Sequence, residues 1–179
     1  MILVINTCAE KLHHFEFVKP VEDILSSAGL PYITRHYEDI KDSDLDVADK
    51  IIICGTSLKD SLFVYNIDKF RWIMTTDRPL LGICAGMQII GILYGGTLKS
   101  TTEVGFYKEC FRDFLSLTGE QEVFHLHNYY VEFELLNEFE IFSKGTIAQA
   151  VKHKEKPIYG VLFHPEVRQR ELITDFCSL

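Results

Sequence analysis

Residues Pro79 to Gly96 read Pro-Leu-Leu-Gly-Ile-Cys-Ala-Gly-Met-Gln-Ile-Ile-Gly-Ile-Leu-Tyr-Gly-Gly, and this stretch leaves the chain few folds to choose from. Leu80 to Ile83 form a short apolar run suited to a strand buried on both faces. Met87 to Tyr94 read as the start of a buried helix, so Cys84 falls at the join. A side chain lifted out of a strand end at such a turn needs a tight, strained backbone, and the flanking strand and helix must pass closer than bulky residues allow. Gly82 and Gly86 stand two residues to either side of Cys84. The pattern is a nucleophile elbow. It puts the thiol at a helix N-terminus, where unpaired N–H groups favour thiolate, and lets the N–H of Ala85 point at a developing oxyanion. The competing interpretation is a buried structural cysteine in a Gly-rich turn, since free cysteine is among the most buried residue types.

The remainder of the first half alternates strand and helix. Ile2 to Asn6 is a β-branched run suited to a central strand. Glu10 to Ala28 has helical spacing through Leu12, Phe15, Val18, Val21, Ile24 and Leu25, with Pro20 set to kink or restart it and Gly29 to stop it. Pro31 to His36 reads as a second strand, acidic Glu38 to Asp49 as a surface connection, and Lys50 to Cys54 as a third strand. Leu58 to Thr76 is a looser helical region carrying Phe63, Ile67, Phe70 and Trp72. This order predicts a parallel sheet covered on both faces, with the ligand site outside the carboxyl ends of its strands. From Thr97 onward the pattern changes to short alternating segments, Phe106 to Phe111, Gln121 to His127 and Tyr130 to Leu136, expected as antiparallel additions at one edge. No repeat or linker divides residues 1–179, so one domain is expected.

A second informative stretch is Ile158 to Val167, Ile-Tyr-Gly-Val-Leu-Phe-His-Pro-Glu-Val. Its apolar run reads as another buried strand, which Pro165 ends at His164 because proline cannot donate to a ladder. His164 and Glu166 are two apart, so both side chains leave on one side. A carboxylate there can accept from one imidazole nitrogen while the other faces a thiol. Cys84, His164 and Glu166 then make a nucleophile, its base and the group that orients the base.

The 18 basic and 26 acidic side chains leave a net charge of -8, which argues against non-specific affinity for nucleic acid or anionic membrane. Five scattered cysteines without a C-x-x-C pair suit a reducing cytoplasm and give no disulfide framework. Met1 to Thr7 lacks a basic flank and makes a poor signal peptide. His13 and His14 read as surface histidines on the first helix. His125 and His127 share a strand face, but the sequence offers no carboxylate or cysteine at metal spacing, so no metal is expected.

The run Gly82-Ile83-Cys84-Ala85-Gly86-Met87-Gln88, followed by His164-Pro165-Glu166, resembles the class I glutamine amidotransferase family in order and spacing over nearly the whole chain. The resemblance implies a flavodoxin-like α/β three-layer sandwich with a mostly parallel central sheet. It also implies hydrolysis of glutamine's side-chain amide through a glutamyl thioester on Cys84, with no cofactor. His164 would take the thiol proton and pass it to the departing ammonia, and Glu166 would fix the tautomer of His164. Gly55 matches the position whose N–H completes the oxyanion hole with that of Ala85, although Cys54-Gly55-Thr56-Ser57-Leu58-Lys59-Asp60 stands where the family has a double glycine and proline. Gln88 and Glu103 match positions that help hold the glutamine. Val123 to Val131 resembles the Ser-His segment whose backbone contacts the substrate's amino-acid end, with Leu126 in place of the serine and His127 retained.

Within the family, the stand-alone glutaminase subunit of GMP synthase is similar in size and layout. The chain carries no P-loop or synthetase segment, so a separate ATP-using synthetase is the expected partner and consumer of ammonia. Two other functions fit the same motifs: a γ-glutamyl hydrolase, which would need a pocket open to the rest of a peptide, and a catalytically silent regulatory subunit of the same fold.

Overall fold

The side chains of β1 (Ile2–Asn6) divide between two apolar interiors, because successive residues of a strand leave on opposite faces. Ile2 and Val4 join one cluster, Leu3 and Ile5 the other. The computed structural model describes all residues from Met1 to Leu179, and the same division recurs through its central sheet. In β3 (Lys50–Ile53), Ile52 faces the first cluster while Ile51 and Ile53 face the second. In β4 (Leu80–Ile83), Leu81 and Ile83 oppose Leu80. Each such fully buried side chain contributes about 1.5–3 kcal/mol, so a strand buried on both faces has no polar position to spare.

Parallel pairing joins β1 to β2 (Tyr32–His36) and to β3, β3 to β4, and β4 to β10 (Ile158–Val161). Antiparallel β9 (Ala150–His153) and β7 (Phe139–Ile141) complete a seven-stranded sheet in the order β2-β1-β3-β4-β10-β9-β7. One face is covered by α1 (Lys19–Ser27) and α5 (Arg170–Ser178) through Val21, Ile24, Leu25, Leu172, Ile173 and Phe176. The other is covered by α4 (Ala85–Leu93), the short α3 (Leu62–Tyr65) and a 3-10 stretch over Ile67–Met74, through Ile89, Ile90, Phe63, Phe70 and Ile73. This is the expected α/β sandwich with a mostly parallel sheet. The acidic connection begins in a 3-10 turn, Tyr37–Asp39, and holds one short α-helix, α2 (Asp42–Val47).

Two expectations are corrected. The helix foreseen over Glu10 to Ala28 is three pieces: a 3-10 turn Lys11–His13, a π-helical turn His14–Val18, and α1. Pro20 lies in the first turn of α1, where a missing N–H costs nothing, so the regular helix begins there. Leu12 and Phe15 consequently miss the core and are 77% and 66% exposed. The antiparallel segments are also not short strands on the edge of the central sheet. They form one long hairpin, β5 (Leu98–Phe114) and β6 (Leu117–Val131), in a separate three-stranded sheet with β8 (Ser143–Lys144). Tyr130 to Leu136 leaves the strand at Val131 and turns through a 3-10 segment at Phe133–Leu135. The hairpin's alternating burial suits a sheet covered on one face, and β9 and β7 take the central edge instead.

Because β1, β3, β4 and β10 run parallel, the segments after Asn6, Ile53, Ile83 and Val161 all emerge at one edge of the sheet. No helix is long and apolar enough to cross a membrane.

Candidate active site

Cys84 joins β4 to α4 with φ 49° and ψ -100°, a conformation that a residue with a side chain adopts only when its surroundings impose it. The flanking glycines supply that constraint. A Cβ on Gly82 would sit 2.5 Å from the carbonyl carbon of Gly86, and one on Gly86 would sit 2.5 Å from the carbonyl oxygen of Ile53. The Cys84 N–H donates to the Val161 carbonyl at 2.8 Å, hooking the elbow to the end of β10.

That same strand end delivers the histidine. Val161 pairs with Ile83, and the chain then runs through Leu162 and Phe163 to His164, whose N–H donates to the Phe124 carbonyl at 2.8 Å. His164 Nδ1 lies 2.7 Å from Glu166 Oε1, with the two residues 1% and 2% exposed. Burial disfavours the charged ring, but the Glu166 carboxylate and the neighbouring Cys84 sulfur outweigh it and hold the imidazole well above its ordinary range. His164 Nε2 is buried and makes no hydrogen bond.

The ring is wedged between Phe17, at 5.5 Å between centroids, and the backbone of Gly55. A Cβ on Gly55 would lie 2.6 Å from His164 Cε1 and 3.2 Å from Cys84 Cβ. Only a bare α-carbon lets thiol and imidazole share this space. The Gly55 N–H makes no backbone hydrogen bond, and the N–H of Ala85, opening α4, has no preceding turn to bond. Both N–H groups are left without a backbone partner beside Cys84.

The unusual loop after Gly55 is held by its own side chains. Asp60 accepts from the Thr56 hydroxyl at 2.6 Å, the Ala9 N–H at 2.7 Å and the Leu62 N–H at 3.2 Å. The Thr7 hydroxyl lies 3.0 Å from the Cys54 carbonyl and 3.2 Å from that of Gly55. Asn128 Nδ2 donates to the Leu58 carbonyl at 2.8 Å, tying the loop to β6. Between loop, elbow and hairpin runs a narrow cleft lined by Thr56, Leu58, Cys84, Ala85, Gln88, Leu126, His127 and Tyr129, among others. The Cys84 thiol is 3.7 Å from the Leu126 carbonyl, and Gln88 Nε2 donates to the Tyr129 carbonyl at 2.8 Å. Reading the sequence missed Phe17, Thr7, Asp60, Asn128 and Tyr129. Asp60, two residues before the start of α3, was the one with a visible signal as a turn former.

Glu103 meets the site through His127. It does not line the cleft; its Oε2 lies 2.9 Å from His125 Nδ1 and 3.0 Å from His127 Nε2. The sequence offered these histidines no carboxylate at metal spacing, but the strand register of the hairpin brings Glu103 to both. Burial pushes both rings down, His127 to about 3, while burial and Glu103 push Glu109 up to about 7.

Residues 15–177 match the family model for class-I glutamine amidotransferases. The chain belongs to the class I glutamine amidotransferase family. A subunit of glutamine-hydrolyzing GMP synthase from Methanocaldococcus jannaschii is 35% identical to this amidotransferase over 100% of the chain and 97% of its own length. Other matches are partial: GMP synthase from Spiroplasma kunkelii is 34% identical over 63% of this chain, which spans 25% of that protein. The match to the corresponding GMP synthase subunit from Methanococcus aeolicus, at 38% identity, spans 62% of that protein. Among solved structures, a candidate GMP synthase subunit from Thermoplasma acidophilum superposes with a TM-score of 0.86. It is 24% identical, covering 99% of this chain and 92% of that one. A glutamine amidotransferase from Thermotoga maritima gives a TM-score of 0.72 at 19% identity, covering 95% and 77%. These likenesses establish the fold of the amidotransferase.

Proposed function

We propose that residues 1–179 act as one glutaminase domain that hydrolyses glutamine to glutamate and ammonia and passes the ammonia to a separate ATP-using synthetase subunit. The observation that carries this reading is the buried His164–Glu166 pair, 2.7 Å apart, at the end of the strand beside the strained Cys84 elbow.

With Glu166 accepting from Nδ1, the Nε2 of His164 is the nitrogen free to serve the thiol. Cys84 loses its proton to Nε2 and attacks the side-chain amide carbon of glutamine, placing negative charge on oxygen between the N–H groups of Gly55 and Ala85. Nε2 returns the proton to the amide nitrogen, the C–N bond breaks, and ammonia leaves a thioester. Water gives a proton to the same Nε2 and adds to the thioester carbon; the C–S bond breaks, releasing glutamate and restoring the thiol. Gln88, fixed by Tyr129, and the backbone around Leu126 and His127 hold the substrate in the cleft.

The names carried by relatives support GMP synthase as the acceptor enzyme, since the Methanocaldococcus jannaschii protein matched along 97% of its length is one subunit of that enzyme. Five free cysteines suit a cytoplasmic protein. Incubation with a glutamine-like electrophile tests the nucleophile: intact mass should show one adduct, mapped to Cys84 and absent from Cys84→Ser. An adduct on another cysteine, or none on any, contradicts the assignment.

A further inference from the structure

On the hairpin, Glu103 of β5 pairs with His127 of β6, and Gly105 pairs with His125, so all four positions share one face of the sheet. Gly105, at φ 120°, presents no side chain opposite His125, and the Glu103 carboxylate reaches both rings. Its Oε2 is nearly equidistant from His125 Nδ1 and His127 Nε2, at 2.9 and 3.0 Å, and the three candidate donor atoms lie within 4.8 Å of one another. His125 is fully buried and His127 is 2% exposed.

The polar accounting of this cluster does not close. Both ring nitrogens of His127, and Nε2 of His125, are buried without a hydrogen-bond partner, and the contact between His127 and Glu103 is too poorly aligned to be one. Buried polar atoms left unpaired cost about 1–3 kcal/mol each, and His127 Nε2, 3.0 Å from Glu103 Oε2, is the one of the three that an ion shared with Glu103 and His125 Nδ1 would satisfy.

We propose that Glu103, His125 and His127 form a binding site for a divalent cation of the zinc class. Two imidazoles and one carboxylate are a donor set such ions favour, and the 2.9–3.0 Å contacts fall within half an ångström of the ~3.3 Å edge of a tetrahedron built on ~2.05 Å bonds. With Nδ1 of His125 turned to the ion, its Nε2–H faces Glu109 Oε1 at 3.6 Å, the outer carboxylate that metal-ligating histidines characteristically have. Tyr107 stacks on the same ring at 4.6 Å and fixes its plane. The ion would clamp β5 to β6 next to the register shift between Ser100 and Glu103, and Leu126, whose carbonyl faces the Cys84 thiol, lies between the two histidines. Its role is to hold the cleft's hairpin wall. It does not depend on Cys84 being a nucleophile.

The test uses the full chain carrying Cys84→Ser, which removes the cleft thiol as a rival ligand, stripped with chelator and titrated with Co²⁺. One equivalent should bind with visible d–d absorption and no near-ultraviolet thiolate charge-transfer band; Zn²⁺ should displace it and raise Tm. Glu103→Gln and His127→Gln should each abolish stoichiometric binding, and Glu109→Gln should weaken it by about tenfold or more. X-ray absorption of the zinc-loaded protein should report only nitrogen and oxygen ligands, a readout that does not depend on any variant folding. Failure to take up either ion stoichiometrically, sulfur in the coordination shell, or binding that survives both Glu103→Gln and His127→Gln would overturn the proposal.

Discussion

Nδ1 of His164 is 2.7 Å from Oε1 of Glu166, and both side chains are almost wholly shut off from solvent. A carboxylate so placed orients the ring and stabilises its charged form without itself transferring a proton. His164→Ala should therefore lower kcat by roughly 10²–10⁴-fold, the usual worth of a general acid–base. Glu166→Gln should cause a smaller loss, and steady-state kinetics showing the reverse order would remove Glu166 from the triad.

The same pair sets a pH dependence. Burial opposes the imidazolium, and Glu166 with Cys84 overcomes it, so His164 titrates above its ordinary ~6.5. A raised pKa means that the stability gained from the charged ring is complete below about pH 6.5 and is lost as pH climbs through the folded-state value. Ring NMR should place the titration of His164 above 6.5 in the wild type and move it down in Glu166→Gln, where burial acts with less opposition. An unchanged titration in that variant would show that the carboxylate does not hold the charge.

Two glycines should fail in different ways. An added Cβ at Gly55 meets the edge of the His164 ring at 2.6 Å, and a ring at the end of a side chain can shift. Gly55→Ala should lose most activity with little change in Tm. At Gly86 the added atom meets the Ile53 carbonyl oxygen at 2.5 Å, backbone that cannot move without disturbing β3. Gly86→Ala should cost about 1–3 kcal/mol of stability as well, read as a lowered Tm.

Gln88 is buried, held through its amide nitrogen by the Tyr129 carbonyl, and lines the cleft. Gln88→Leu keeps the volume and removes the polar end. Kinetics should show KM for glutamine raised by about tenfold, the worth of one lost hydrogen bond to substrate, with a lesser effect on kcat. A purely structural amide would instead lower Tm and leave KM unchanged.

Local pattern made the sheet legible. β4 and the elbow glycines could be read from sequence because a doubly buried strand and a close strand–helix approach each demand particular residue types. The hairpin was not, because the alternation of β5 and β6 specifies a half-buried strand without saying which sheet it joins. Leu12 and Phe15 misled for a related reason: helical spacing carries through Pro20, but the regular helix starts only there. Cys84, His164 and Glu166 stood out by type and spacing. Phe17 and Asp60 did not, since a ring packed on His164 and a carboxylate gathering three donors are tertiary relations. Glu103 lies 22 residues from His125, and only the strand register brings them together.

The most direct measurement is release of ammonia and glutamate from free glutamine by the purified chain, alone and with the ATP-using synthetase subunit proposed to accept its ammonia, with Cys84→Ser in parallel. The account predicts equimolar release by the wild type and none above background by the variant. Equal release by both would contradict the assignment of Cys84 as the nucleophile and, with it, the proposed triad.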